Sequence, residues 1–332
     1  MATLYHDGDA DMSVLAGTVI GVIGYGNQGR AQGLNLRDSG LNVVIGCPPG
    51  PYRDRAQSDG FEAVDAAAAA AGSDVVLMLI PDEVQPAVYE ADVRPGLSEG
   101  NALVFASGYN VHFGLVEAAP GVDVLMVAPR MIGRAVRSAF TSGGGFPCFV
   151  AVHRDATGQG WPRALAVARG IGGTRTGAIA SSFEEEVLID LLAEQFLWAG
   201  IVRMCTVYYD LLVEAGCSPE AVATDLYLSG EMEEIARAMR ETGFFKQLDL
   251  HSQTSQYGQL SRGERMVTPE VERAARQALE ELRDGTFARE WAAEQAKGKP
   301  ALAALKSAAL DHPLNRVEAA LRAALRRTEG TP

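Results

Sequence analysis

One string constrains this chain more than any other. Gly24-Tyr25-Gly26-Asn27-Gln28-Gly29 joins a β-branched apolar run, Thr18–Gly24, to a helical pattern, Gln28–Ser39. The spacing G-x-G-x-x-G is weak in isolation and gains meaning from a strand before it and a helix after it. The first glycine permits a tight turn, the second lets the backbone approach a pyrophosphate, and the third lets helix and strand pack closely. The helix N-terminus then presents unpaired N–H groups and a partial positive charge to phosphate. Gly24, Tyr25, Gly26, Asn27, Gln28 and Gly29 are therefore candidate cofactor-binding residues. The bland alternative is a glycine-rich turn with no ligand.

The pattern that begins there continues. Asn42–Gly46, Asp74–Ile80, Ala102–Ser107, Val122–Pro129 and Cys148–Val152 are further continuous apolar runs, as parallel strands covered on both faces require. Helical patterns lie between them at Ala66–Ala71 and Val84–Tyr89. Such alternation predicts an α/β fold with a Rossmann-type doubly wound sheet. From about Ser181 the β-rich runs stop. Ser181–Gly200 reads as one long helix with Ser182 as N-cap and Glu185 completing a capping box. Further helices are predicted over Ser218–Thr242, Pro269–Asp284, Phe287–Gln295 and Pro313–Arg326. With 332 residues and roughly 150 per domain, two domains are expected. The predicted division is a dinucleotide-binding domain over 1–180, an all-helical domain over 181–327, and a frayed tail over 328–332.

Composition limits the partners. A net charge of −13 repels a phosphate backbone, so nucleic acid is excluded as a partner. No stretch reads as the ~20 consecutive apolar residues of a membrane span, so no membrane partner is expected. The acidic N-terminal segment lacks the apolar centre of a signal peptide. Cys47, Cys148, Cys205 and Cys217 are scattered with no CxxC pair, as for idle thiols in a reducing cytoplasm. A cytoplasmic protein with a small-molecule substrate is the expectation.

The kind of dinucleotide is less directly written. NAD-specific folds usually carry an acid at the end of the second strand of the motif, yet here that strand ends Ile45-Gly46-Cys47. The loop beyond contains Arg53 and Arg55, either of which suits a 2′-phosphate, with Asp54 between them. NADPH is favoured on this reading, with Arg53 as a cofactor residue and NADH left open. A second signal is Asp190 and Glu194, at i and i+4 on an otherwise apolar helix, which share one face. Hard oxygen ligands suit Mg²⁺, which commonly takes one or two carboxylates and keeps several waters. A salt-bridged helix face fits the spacing equally well.

Strings along nearly the whole chain resemble the ketol-acid reductoisomerase family. They include YHDGDADMSVLAG, IGYGNQGRAQGLNLRDSGLNVVIG, IPDEVQPAVYEADV, GYNVHFG, ARGIGGTRTG, FEEEVLIDLLAEQ and FAREWAAEQAKGKP. The resemblance implies an N-terminal Rossmann domain and a C-terminal all-α, knotted domain. It implies Mg²⁺ and NADPH, and assembly as a homodimer or a multiple of dimers through the helical domains. It assigns metal ligation to Asp190 and Glu194, puts Asp82 and Gln85 beside the nicotinamide, and puts Ser252 on substrate. The family chemistry it implies is an alkyl migration in a 2-hydroxy-2-alkyl-3-oxo acid followed by hydride delivery to the rearranged 2-oxo acid.

The departures fall on the chemistry. Where the family motif has a histidine, this chain has Ser107; His112 in the same motif also occurs in the family and is read here as structural. Where the family has a lysine, this chain has Arg130, which stays protonated and cannot donate a proton as lysine does. Arg130 and Arg134 are suited to clamp a carboxylate, and a salt bridge from Arg130 to the acidic helix is the plain alternative. The second metal pair becomes Asp225 and Ser229 in one register, or Tyr227 and Glu231 in a register shifted by two. Neither gives two carboxylates. One metal ion at Asp190 and Glu194 is expected, with Glu231 a tentative third ligand. The candidate catalytic residues are thus Asp190, Glu194, Arg130 and Ser107, with Ser252 and Arg134 on substrate. The expected activity is Mg-assisted reduction of a small 2-oxo acid, or of a related carbonyl or imine, in specialised metabolism, with the isomerase step lost or altered. Two alternatives are an authentic ketol-acid reductoisomerase acting on 2-acetolactate and a non-catalytic nucleotide-binding paralogue.

Overall fold

Nine strands form a single sheet in the computed structural model, which describes residues 1–325. They are β1 (Leu4–Tyr5), β2 (Val19–Ile23), β3 (Asn42–Gly46), β4 (Glu62–Val64), β5 (Val75–Met78), β6 (Ala102–Phe105), β7 (Asp123–Pro129), β8 (Cys148–Arg154) and β9 (Ala178–Ala180). Their spatial order is β1-β9-β8-β7-β6-β5-β2-β3-β4. The core from β4 to β7 is parallel throughout, with Ile20 opposite Val43 on one side and Val75 on the other. Chain order reverses between β2 and β5, the switch point at which open α/β sheets bind ligands. All six predicted strands are present. β1, β4 and β9 are only two or three residues long, too short to give a run of their own. β8 corrects the expectation of an all-parallel set: it runs antiparallel to β7. An apolar run records burial on both faces, not direction.

Helices cover both faces, as the strand composition demands. Ile20, Val22, Val75, Leu77, Val104 and Leu125 belong to one buried cluster, and Ile23, Val76, Met78, Leu103, Phe105 and Val124 to the other. Alternate residues of each strand thus feed opposite cores. The helix Asn27–Asp38 lies against the first cluster through Ala31, Leu34 and Leu36. The segment Pro51–Ser58, read from sequence only as a loop, is a helix opened by Gly50 and by Pro51 in its first turn.

The described chain divides into two compact units, Met1–Ile189 and the residues from Asp190 onward. The division falls inside a helix rather than in a linker. Ser182 caps that helix as expected, its Oγ accepting from the Glu185 N–H at 3.0 Å. The Glu185 carboxylate accepts from the neighbouring Ser181 hydroxyl instead of closing the box. The second unit is all-helical. Its small buried cluster is Tyr209, Val222 and Ala223, flanked by Leu212, Leu228, Leu314 and Val317. The helix expected over Ser218–Thr242 is broken. A π-helical turn at Thr224–Leu228 is followed by Gly230 at φ +89°, and a new helix starts at Glu231. Helices Gln253–Met266 and Pro300–Leu310 were not anticipated from sequence. The tail over 328–332 lies outside the described residues.

The long helix corrects one reading. Phe183–Glu214 runs for 32 residues and contains an 18-residue window of mean hydropathy 1.4, long and apolar enough by length and composition to cross a membrane. Asp190 and Glu194 hide this in the sequence, because the most apolar stretch begins only after them.

Candidate active site

A cleft of about 490 Å³ opens at the C-terminal ends of the strands flanking the switch point. Its floor is the loop Gly24–Gln28 after β2. One end is walled by Cys47, Pro48 and Tyr52 after β3, and the other by Ile80–Asp82, Gln85 and Ser107 after β5 and β6. The glycines divide their work as the motif requires. Gly24 sits at φ +98°, and a Cβ there would lie 2.6 Å from Ile80 Cγ2. At Gly29 a Cβ would lie 2.1 Å from the Gly24 carbonyl oxygen, so only glycine lets the helix meet the strand. Nothing stands within 4 Å of a Cβ at Gly26, which leaves that backbone open to a ligand.

Tyr25 takes part through its backbone alone. Its side chain is buried, packs on Phe61 and donates to Asp59 Oδ2 at 2.8 Å. Asp59 also accepts from Arg30 Nε at 2.7 Å. Arg30 holds the Asp59 carboxyl below the usual carboxylate range, aided by Tyr25, while burial and the Asp59 bond push the Tyr25 phenol up. This brace fixes the loop from behind. Gln28 fixes it from the side, with Nε2 donating to the Met131 carbonyl at 3.0 Å. Asn27 is clamped by the helix Gly133–Thr141, since a Cβ at Gly133 would lie 2.0 Å from the Asn27 carbonyl oxygen.

Arg53 is turned inward. Its Nε donates to the Cys47 carbonyl at 2.9 Å, and its guanidinium pairs with Asp65. It therefore shapes the loop after β3 rather than reaching into the cleft. Arg55 is exposed and faces a second hollow of about 690 Å³, which shares Gly26, Asn27 and Tyr52 with the cleft. Arg134 faces that hollow too, away from the end lined by Asp82 and Ser107.

At that opposite end Asp82, Gln85 and Ser107 come together as the sequence suggests. Ser107 Oγ accepts from the Tyr109 N–H at 3.3 Å. His112 stacks edge-on against Phe113 at 4.8 Å between ring centroids. Arg130 is held in an ion pair: Nη1 lies 2.9 Å from Glu186 Oε1, with the guanidinium over the Phe149 ring. Glu186 is buried, and its second oxygen accepts from the Gly108 N–H at 2.7 Å. Glu186 was not singled out in the sequence, where it is one of three consecutive glutamates.

In the second unit Asp190 and Glu194 are one helical turn apart. Burial, and then the Asp190 charge, push the Glu194 carboxyl up. Two mutually repelling carboxylates fit a hard divalent cation. Glu231 does not join them: among the described residues no three His, Cys, Asp or Glu side chains gather as a metal cluster. Glu231 opens its own helix beyond Gly230, which is what separates it. Asp225 accepts from the Tyr208 hydroxyl at 3.0 Å, and Tyr227 donates to Glu318 at 2.7 Å. Ser252 caps the helix Gln253–Met266, accepting from the Ser255 N–H at 3.3 Å.

The largely parallel sheet, the switch-point cleft and the glycine loop define a dinucleotide-binding protein. Residues 14–177 match the acetohydroxy acid isomeroreductase NADPH-binding domain, and residues 183–327 match the ketol-acid reductoisomerase C-terminal domain. The chain belongs to the ketol-acid reductoisomerase family and is an NAD(P)H-dependent oxidoreductase. It is similar to an NADH-preferring ketol-acid reductoisomerase from an uncultured archaeon, with 37% identity and a TM-score of 0.92 over 96% of this chain and 98% of that one. The fold alone is shared with two more distant structures. One is a semialdehyde dehydrogenase NAD-binding protein from Cupriavidus necator, with 17% identity, TM-score 0.63, and 80% and 99% of the two chains covered. The other is a pyrroline-5-carboxylate reductase from Coxiella burnetii, with 16% identity, TM-score 0.56, and 80% and 98% covered.

Proposed function

We propose that this family member performs reduction without the preceding alkyl migration, acting on a small 2-oxo acid or a related carbonyl or imine. The observation that carries the reading is Arg130. The residue standing at the family's lysine position is a permanently charged guanidinium tied to buried Glu186. Ser107 at the histidine position supports the same reading, as does the finding that no third carboxylate gathers with Asp190 and Glu194 among the described residues.

The chain's own residues divide the work as follows. The Gly24–Gly29 turn and the helix behind it bind the pyrophosphate. Asp82 and Gln85 orient the nicotinamide end. Ser107 Oγ receives the Tyr109 N–H, which leaves its own proton to donate to a substrate oxygen. Asp190 and Glu194 hold Mg²⁺. When bound, the metal supplies Lewis acidity and the dinucleotide supplies hydride. With Arg53 withdrawn from the cleft, NADH is the preferred cofactor, as for the archaeal relative. Phe196, Trp198, Val202, Met204 and Leu211 are exposed around the long helix, and we assign this helix to a homodimer interface of a cytoplasmic enzyme.

One observation favours a second reading. Identity of 37% across almost the whole length of a ketol-acid reductoisomerase suits an authentic enzyme with a remodelled site. The discriminating experiment supplies 2-acetolactate and, separately, 3-hydroxy-3-methyl-2-oxobutanoate. Oxidation of cofactor with only the rearranged acid supports loss of the isomerase step. Equal turnover of both supports the second reading.

A further inference from the structure

Asn110 is almost wholly buried, yet it is the hub of the polar contacts behind the Asp82–Gln85 wall. Its Nδ2 donates to the Asp82 carbonyl at 3.1 Å and to Gln85 Oε1 at 3.0 Å, and approaches Asp82 Oδ1 at 3.4 Å. Gln85 in turn donates from Nε2 to the Ile80 carbonyl at 2.9 Å and to Asp82 Oδ1 at 3.2 Å. One amide thus links the short helix after β6 to the loop after β5. The amide orientation is unambiguous, because every partner of Nδ2 is an acceptor. Among the described residues no donor reaches Asn110 Oδ1. A buried acceptor without a partner costs about 1–3 kcal/mol, a penalty an apolar side chain of similar size avoids. Asn110 is therefore a poor choice for packing alone.

We infer that Asn110 is a positioning residue for the nicotinamide half of the cofactor. Its Nδ2 locks the Asp82 backbone and the Gln85 amide into the shape that receives the ring. This deepens the proposed function and rests on its reading of the cleft as a nicotinamide site. The opposite, adenosine end of the cleft is built from Tyr52 and the loop after β3, which Asn110 does not touch. A defect at Asn110 therefore separates the two halves of one ligand.

The test measures dissociation constants for NADH, NADPH and ADP-ribose on the full chain and on Asn110→Ala and Asn110→Asp, with thermal melting of each. Asn110→Asp keeps the shape and sets an acceptor against Gln85 Oε1. The expected result is weakening of both dinucleotides by about tenfold or more, the equivalent of one lost buried hydrogen bond. ADP-ribose affinity stays within about twofold by the same conversion, because its site lies at the other end. Melting of Asn110→Ala falls only slightly, since loss of the orphan oxygen offsets loss of the donor to Gln85 Oε1. Unchanged dinucleotide affinity in both variants would overturn the inference alone. So would parallel loss of ADP-ribose affinity, which marks a structural role. Failure of the wild-type chain to bind either dinucleotide contradicts the proposed function itself.

Discussion

Asp59 shows how much a residue outside the cleft controls what happens in it. It receives Tyr25 and Arg30 together, so the glycine loop is braced by one carboxylate. The Arg30 bond lowers its pKa. A depressed carboxyl stabilises the fold above its unfolded value, near 3.8, and that contribution is lost as pH falls through the still lower folded value. Cofactor affinity is expected to hold from neutral pH to below the ordinary carboxylate value of 3.8, and to fall only as pH passes the lower folded value. Asp59→Asn removes the charge that holds Arg30 and should weaken dinucleotide binding several-fold at neutral pH, measured by fluorescence titration. Unchanged affinity in this variant would mean that the loop needs no brace. The carboxylates of the second unit make a separate prediction. Mg²⁺ should raise the melting temperature of the wild-type protein, and Asp190→Asn or Glu194→Gln should abolish that rise. An equal rise in the variants would move the ion elsewhere.

At the scale of elements, the proposed choice of cofactor rests on the helix Pro51–Ser58. Its first turn exposes Tyr52 to the cleft and points Arg53 back at the Cys47 carbonyl. NADH is expected to bind more tightly than NADPH. Tighter binding of NADPH, lost in Arg55→Gln, would instead assign the 2′-phosphate to Arg55. This element also marks where the sequence stopped being legible. Long apolar strands and the glycine loop could be read because burial on two faces and a positive φ each demand particular residue types. The fate of Arg53 could not, because a guanidinium in a Pro- and Gly-rich loop serves a phosphate or a carbonyl equally well. Arg130 is a similar case. The sequence allows its pairing with the acidic helix, but Glu184, Glu185 and Glu186 look alike there, and only the helix phase buries Glu186. The helix expected over Ser218–Thr242 breaks at Gly230, and Glu231 opens a new helix beyond it.

For the whole molecule, the open question is what covers the long helix. Trp198 and Val202 remain 58% and 64% exposed, more than a solitary soluble chain needs to leave uncovered. The proposed homodimer buries them. Val202→Asp is expected to shift the protein from dimer to monomer, or to insoluble protein, in size-exclusion chromatography with light scattering. A wild-type monomer in that experiment would contradict the assembly. The central claim is about chemistry, and one measurement reaches it most directly. Purified protein with Mg²⁺ and NADH or NADPH is mixed with 3-hydroxy-3-methyl-2-oxobutanoate and, separately, with 2-acetolactate, following absorbance at 340 nm. The account expects oxidation with the rearranged 2-oxo acid and none above background with 2-acetolactate. Comparable rates with both would show that alkyl migration survives with Ser107 and Arg130 in place, and would contradict it.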